Sequence, residues 1–310
     1  MPIILPRDLP AWRTLSGEGI TVFAGDQLPK PSSRPLQVLL LNLMPTKVVT
    51  ETQIARVLSN SPLPVELTLL RTATHAAGHA DPNHLRAFYR TFAEIRDRRF
   101  DGLIITGAPV ETLPWHEVDY WGEISDILAW SADTAMASLF ICWGAQAALQ
   151  HFYGIGKRAL PAKRFGVYWH RLVRPTAALV RDHDDDFLVP VSRHTETPRD
   201  EVAANPRLEI LADSDEAGLH LVWEPARRRT YLFNHPEYDA DTLDREYRRD
   251  RDRGLPIALP VNYYPGDDPA RQPRVRWRSH AHLIYTNWLS HQVQQHEPQL
   301  TYAPDGARQR

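Results

Sequence analysis

Ser138-Leu139-Phe140-Ile141-Cys142-Trp143-Gly144-Ala145-Gln146-Ala147-Ala148-Leu149 joins an apolar run to a segment rich in small residues across a single cysteine. Leu139-Phe140-Ile141 is a short continuous apolar run, as in a strand buried on both faces of a parallel sheet. It passes without a linker into small residues that suit the start of a helix. A strand that turns straight into a helix belongs to a parallel α/β architecture, whose ligands sit at the carboxyl ends of the strands. The residue at that end is Cys142, the only cysteine in the chain.

The same alternation continues upstream. Val38-Leu39-Leu40-Leu41-Asn42-Leu43 reads as another buried strand, followed by a helix through Gln53, Ile54, Val57 and Leu58. Val65 to Leu70 gives the next strand. Asp81-Pro82 opens a helix, aspartate as N-cap and proline at the first helical position. Leu85, Phe88, Tyr89, Phe92 and Ile95 recur along it at the spacing of one buried face. Gly102 to Thr106 is a strand that breaks at Gly107-Ala108-Pro109, and a helix around Ile124 to Trp130 leads into the opening stretch.

Downstream the pattern changes. Short strands are expected near Val167 to Val173, Phe187 to Val191 and Leu208 to Leu211. Leu219 to Trp223 and Thr230 to Phe233 flank Glu224 to Arg229 and read as a hairpin. Asp239 is expected to cap a helix running to about Arg253, where Gly254 and Pro256 stop it. A last helix falls around His280 to Val293. The resulting fold class is α/β, a mostly parallel sheet flanked by helices. Residues 1–34 form a proline-punctuated lead-in, residues 35–297 one domain and residues 298–310 a tail.

The bulk numbers narrow the function. Thirty-six basic residues against thirty-eight acidic ones leave a charge of −2, with no basic excess to recruit nucleic acid or an anionic membrane. Prolines and charges in Met1 to Asp8 exclude a signal-peptide core, and no apolar run reaches the roughly 18 residues of a membrane span. One cysteine makes neither an internal disulfide nor a cysteine-rich zinc site. A soluble, cytoplasmic protein without a metal is expected.

At the strand end, a helix N-terminus stabilises a thiolate, and its free N–H groups can receive an oxyanion. The turn half-matches a nucleophile elbow: Gly144 stands two places after Cys142, but Phe140 stands where the preceding glycine belongs. An inert buried cysteine is the commoner fate of a free thiol; position at a strand end reverses those odds. A cysteine nucleophile needs a base and a group to orient it. Asn234-His235-Pro236-Glu237 supplies both directly after the hairpin, and on extended chain the side chains of His235 and Glu237 emerge on one side.

Asn42-Leu43-Met44-Pro45, Thr106-Gly107-Ala108-Pro109, Cys142 to Gln146 and His235-Pro236-Glu237-Tyr238-Asp239 together resemble the homoserine O-acyltransferase family of methionine biosynthesis. Asn262-Tyr263-Tyr264-Pro265 and Trp277-Arg278-Ser279-His280 extend the resemblance over residues 1 to about 295. It implies a class I glutamine-amidotransferase-like (flavodoxin-like) fold, and Cys142 as nucleophile, His235 as general base and Glu237 as its partner. It further implies substrate contacts at Lys163, Ser192 and Arg249, with Lys47 and Glu246 close to the site. Backbone N–H groups near Trp143 would hold the oxyanion. Glu246 and Arg249, three apart on a helix, share a face, and an arginine there suits an amino-acid carboxylate. Only four of the 36 basic residues are lysine, and Lys47 and Lys163 fall on family positions while Lys30 and Lys157 do not.

The resemblance also implies that the residue at position 111 divides succinyl-CoA from acetyl-CoA enzymes, glycine for succinyl and glutamate for acetyl. Here it is Glu111. A carboxylate facing the succinyl carboxylate at about 4 Å and an effective dielectric of ~20 costs roughly 4 kcal/mol. Acetyl-CoA is the co-substrate this charge repulsion favours, and the resemblance implies L-homoserine as acceptor, an acyl-cysteine intermediate and a homodimer. Thr46, Trp169, Val191 and Asn234 depart from residues frequent in the family. Serine is the alternative acceptor, since one methylene is worth only about 1–3 kcal/mol, and succinyl-CoA the alternative donor. A glutamine amidotransferase-like hydrolase and a non-catalytic binding module are the more distant alternatives.

Overall fold

Along the strand Leu36–Leu41, Val38 and Leu40 bury into one apolar cluster while Leu39 and Leu41 bury into another. This period of two shows that the strand is covered on both faces. The computed structural model describes residues 3–25, 34–74, 81–134 and 136–293. The elements run β1 (Ile3–Ile4), α1 (Pro10–Gly17), β2 (Val22–Phe23), β3 (Leu36–Leu41), α2 (Lys47–Leu58) and β4 (Val65–Leu70). Next come α3 (Pro82–Phe88), β5 (Tyr89–Arg90), α4 (Phe92–Ile95), β6 (Gly102–Ile105), α5 (Trp121–Asp133), β7 (Ala137–Ile141) and α6 (Trp143–Tyr153). The second half holds β8 (Arg158–Leu172), β9 (Asp186–Glu196), α7 (Arg199–Ala204), β10 (Glu209–Ser214), β11 (Gly218–Glu224), β12 (Arg229–Leu232), α8 (Thr242–Asp252) and α9 (Arg278–Trp288).

Among the described residues the strands form one sheet in the order β2-β1-β4-β3-β6-β7-β12-β11-β10-β8-β9, with β5 beside β4. Pairing is parallel from β2 through β12 and antiparallel from β12 through β9. Residues from α2 and α9 bury into one face, and residues from α5 and α6 into the other. The mostly parallel α/β sheet expected from the sequence is the fold observed. The start of the chain takes part in it, since Ile3 and Ile4 pair with Val65 and Glu66 of β4. The segment Pro29 to Ser33 and the tail 298–310 lie outside the described residues. No described helix is long and apolar enough to cross a membrane.

Three expectations need correction. The helix predicted from Asp81 onward does not run through Ile95: Asp81 does cap it, accepting from the Asn83 N–H at 2.9 Å, but the helix ends at Phe88. Tyr89 turns inward so that its hydroxyl reaches Glu51 at 2.5 Å and Asn42 at 2.8 Å, and a second short helix restarts behind Thr91. Asp239 does not cap α8. The N-cap position belongs to Asp241, while Asp239 accepts from Arg56 Nη1 at 2.6 Å. The strand expected at Val167 to Val173 begins much earlier, at Arg158, because a register irregularity between Ala159 and Arg164 absorbs Pro161.

Candidate active site

Neighbouring strands β7 and β12 are parallel, with Ile141 opposite Leu232. Cys142 follows Ile141 directly and His235 comes three residues after Leu232, so both reach the same carboxyl edge of the sheet. Cys142 takes φ 51° and ψ −115° at the N-cap position of α6. For a non-glycine residue such a conformation costs about 1–3 kcal/mol and persists only where the surroundings enforce it. Here the Cys142 N–H is tied to Leu232 O at 2.7 Å, and its own carbonyl accepts from the Ala145 N–H. Gly144 lets the turn close: a Cβ there would stand 2.7 Å from Ile105 O and 2.8 Å from Thr106 O. Phe140, on the strand before the turn, points away from it into the α5–α6 cluster against Tyr231 and Phe152.

His235 Nδ1 lies 2.8 Å from Glu237 Oε1, and both side chains are buried. The contact does not arise from extended chain, as the sequence suggested. Residues 235–238 form a turn closed by Tyr238 N–H donating to His235 O at 3.3 Å. That turn also lays the Tyr238 ring flat on the imidazole, centroids 4.2 Å apart and planes 9° from parallel. Burial alone would lower the imidazole's proton affinity. The charges of Glu237 and Cys142, and hydrogen bonds to both, raise it instead to about 10. The imidazole thus stands between the thiol and the carboxylate.

A cleft of about 640 Å³ opens over Cys142 and His235. Its far wall is a polar cluster centred on Glu246 of α8. Lys163 Nζ donates to Glu246 Oε1 at 2.6 Å, and Ser192 Oγ stands 2.9 Å from the same oxygen. Arg249 Nη2 is 3.8 Å from it, while Arg249 Nε donates to Asp250 at 2.7 Å. Lys163, Ser192, Glu246 and Arg249 are therefore brought together, and Glu111 lines the cleft with them. Lys47 is not among the lining residues. Its ammonium is buried on Asn42 O at 2.5 Å, and burial pushes it down to about 8 against the raising effect of Glu51. Trp143 is wholly buried, and its N–H is among the first of α6, which lack acceptors inside the helix.

Several residues of the site escaped the sequence reading. Tyr238 was visible only as a motif neighbour, not as the shelf under the base. Lys157 donates to the carbonyls of Glu111 and Leu113 and lies 4.4 Å from the Trp115 ring centre; its rarity was the one signal. Arg193, buried beside Ser192, donates to Asn234 Oδ1 at 2.9 Å and to Ala217 O. Asn234 in turn donates to His170 Nε2 at 2.9 Å, and Val191 packs against Tyr168 and Ala217. Neither Asn234 nor Val191 lines the cleft. Among the described residues, no group of three or more histidine, cysteine or acidic side chains is arranged to hold a metal ion.

The profile of the homoserine O-succinyltransferase family matches residues 2–299. A homoserine O-acetyltransferase from Synechococcus elongatus is 66% identical over 295 residues, covering 95% of this chain and 99% of the relative. One from Dinoroseobacter shibae is 50% identical over 290 residues, covering 94% and 95%. Among solved structures, a glutamine amidotransferase from Thermotoga maritima aligns over 84% of this chain and 100% of its own. Its TM-score is 0.54 and its identity 13%, a likeness of fold alone.

Proposed function

The chain belongs to the homoserine O-succinyltransferase family, and from that premise we propose that it is a homoserine O-acetyltransferase working through an acetyl-cysteine. The observation that carries this reading is the meeting of Cys142, His235 and Glu237 at one sheet edge, under a cleft walled by Glu111 and the Glu246 cluster. The relatives named for acetyl transfer support the choice of acyl group.

In the first half-reaction the Cys142 sulfur attacks the acetyl carbonyl of acetyl-CoA. The oxyanion settles on N–H groups at the start of α6. The thioester C–S bond breaks, and the departing CoA sulfur takes the proton held by His235. In the second, L-homoserine enters and His235 accepts its hydroxyl proton while the oxygen attacks the acetyl-cysteine. The C–S bond to Cys142 breaks and O-acetylhomoserine leaves. Glu237 keeps the imidazole oriented and balances its charge through both steps.

Arg249 holds the homoserine carboxylate and Glu246 its ammonium, with Lys163 and Ser192 fixing Glu246. Lys47 acts from beneath the site on the Asn42 backbone rather than on substrate. Glu111 rejects the succinyl carboxylate. Acetyl-CoA is a co-substrate and no resident cofactor takes part. We place the enzyme in the cytoplasm as a homodimer. The test is to supply homoserine with acetyl-CoA or succinyl-CoA and identify the product. O-acetylhomoserine, absent with Cys142→Ala, supports the reading; O-succinylhomoserine as the main product overturns the choice of acyl group.

A further inference from the structure

Glu111 reaches across to β9, where three donors hold its carboxylate. The His194 N–H donates to Oε1 at 2.9 Å, while the Thr195 N–H at 3.2 Å and the Thr195 hydroxyl at 3.0 Å donate to Oε2. The hydroxyl has one hydrogen to give and a second neighbour to satisfy. Gln146 presents its Nε2 at 3.0 Å and its Oε1 at 3.2 Å to the same oxygen. Were the hydrogen given to Gln146, the hydroxyl lone pairs would face a carboxylate oxygen. The favourable arrangement runs one way, from the Gln146 amide to the Thr195 oxygen and from the Thr195 hydrogen to Glu111. Gln146 and Thr195 are both buried, and Gln146 lies one helical turn after Cys142 on α6.

We propose that Thr195, oriented by Gln146, fixes the charge of Glu111 in the acyl pocket and so sets the discrimination between a short neutral acyl group and one ending in a carboxylate. The inference rests on the reading of Glu111 as the acyl selector. A carboxylate free on a loop rotates aside when an anionic tail enters, and the rejection shrinks to the cost of a rotamer. One fastened by three donors yields only by breaking hydrogen bonds to a charged acceptor, so the repulsion persists. From the other side, Lys157 anchors the backbone of the same loop through the Glu111 and Leu113 carbonyls. Thr195 touches Glu111 and acts through it, as a positioning residue.

The test compares kcat/KM for succinyl-CoA with kcat/KM for acetyl-CoA, in the full-length enzyme with homoserine as acceptor. Thr195→Val keeps the shape and removes the hydroxyl. Its succinyl-to-acetyl ratio is expected to rise about tenfold, the weight of one hydrogen bond to a charged group. Thr195→Ser retains the parent ratio, a rescue that a purely structural role does not require. Gln146→Met strips the orienting amide and moves the ratio the same way, so the idea stays testable if the valine variant folds poorly. A parent-like ratio in both Thr195→Val and Gln146→Met, with a raised ratio in Glu111→Gly, overturns the role of Thr195. An unchanged ratio in Glu111→Gly overturns the reading of Glu111 itself.

Discussion

Ile141 and Leu232 face each other across neighbouring parallel strands. This register pair decides where the chemistry sits, because each strand ends within a few residues of it and releases Cys142 on one side and His235 on the other. A slip of one residue would turn either strand's side chains to the opposite face. Both residues are buried in the same cluster, so the hydrophobic core itself holds the register.

Glu237→Gln tests the charge on the imidazole. Glu237 and Cys142 hold His235 protonated up to about pH 10, against an ordinary value of 6.5. Because the folded value is raised, the stability this proton contributes is complete below about pH 6.5 and is lost as pH rises towards 10. In the variant, the His235 resonance followed by NMR should titrate at distinctly lower pH. The stability gap between parent and variant should narrow from pH 6.5 to 10. An unchanged titration would mean that Glu237 does not set the charge of the base.

Gly144→Ala tests the close approach beneath the nucleophile. The new methyl meets two backbone carbonyl oxygens, at 2.7 and 2.8 Å, that cannot rotate away. We expect about 1–3 kcal/mol of destabilisation in denaturant unfolding, together with slower alkylation of Cys142. A variant as stable as the parent contradicts the packing described.

Three histidines should make the protein acid-sensitive. His170 and His220 lie 4.9 Å apart, and both pack with His183 around Phe187. Burial pushes His170 down to about 3, His183 to about 4 and His220 well below 6.5. Folded values are depressed, so the unfolded chain binds more protons and stability falls as pH drops from about 6.5 towards 4. His183→Phe removes one of these sites and should flatten that fall in denaturant midpoints. Equal slopes for parent and variant would show that His183 takes no part.

Arg249→Lys separates the two half-reactions. Acetyl-enzyme formation from acetyl-CoA should proceed at the parent rate, while kcat/KM for homoserine drops about tenfold, or roughly 1.4 kcal/mol. The effect is modest because the guanidinium is half-exposed and solvent screens it. Equal losses in both half-reactions would move Arg249 away from the acceptor.

The parallel half of the fold was legible because several of its strands contain short apolar runs, as in Val38 to Leu41, Leu103 to Ile105 and Leu139 to Ile141, and because α3 begins at the Asp81-Pro82 signal. Val65–Leu70 coincides with its prediction, and the hairpin of β11 and β12 pairs as its turn residues suggested. Strand order was not legible, since the β7–β12 pairing joins segments far apart in sequence and leaves no local trace. The helix predicted through Ile95 failed because Tyr89 answers to Glu51 and Asn42 rather than to helical spacing. A signal for its interruption was present: Thr91 and Glu94 form a capping box, which marks a new helix start. At the site, Cys142, His235 and Glu237 could be picked from chemistry and motif. The donors around Glu111 could not, since Thr195 and Gln146 carry no pattern until β9 and α6 are placed side by side.

Whether Cys142 carries the acetyl group between donor and acceptor can be read by intact-protein mass spectrometry. The enzyme is mixed with acetyl-CoA in the absence of any acceptor. One acetyl group should be added per chain, absent in Cys142→Ala and discharged on addition of homoserine. An unmodified Cys142 from an enzyme that still turns over, or an adduct that survives in Cys142→Ala, would contradict it.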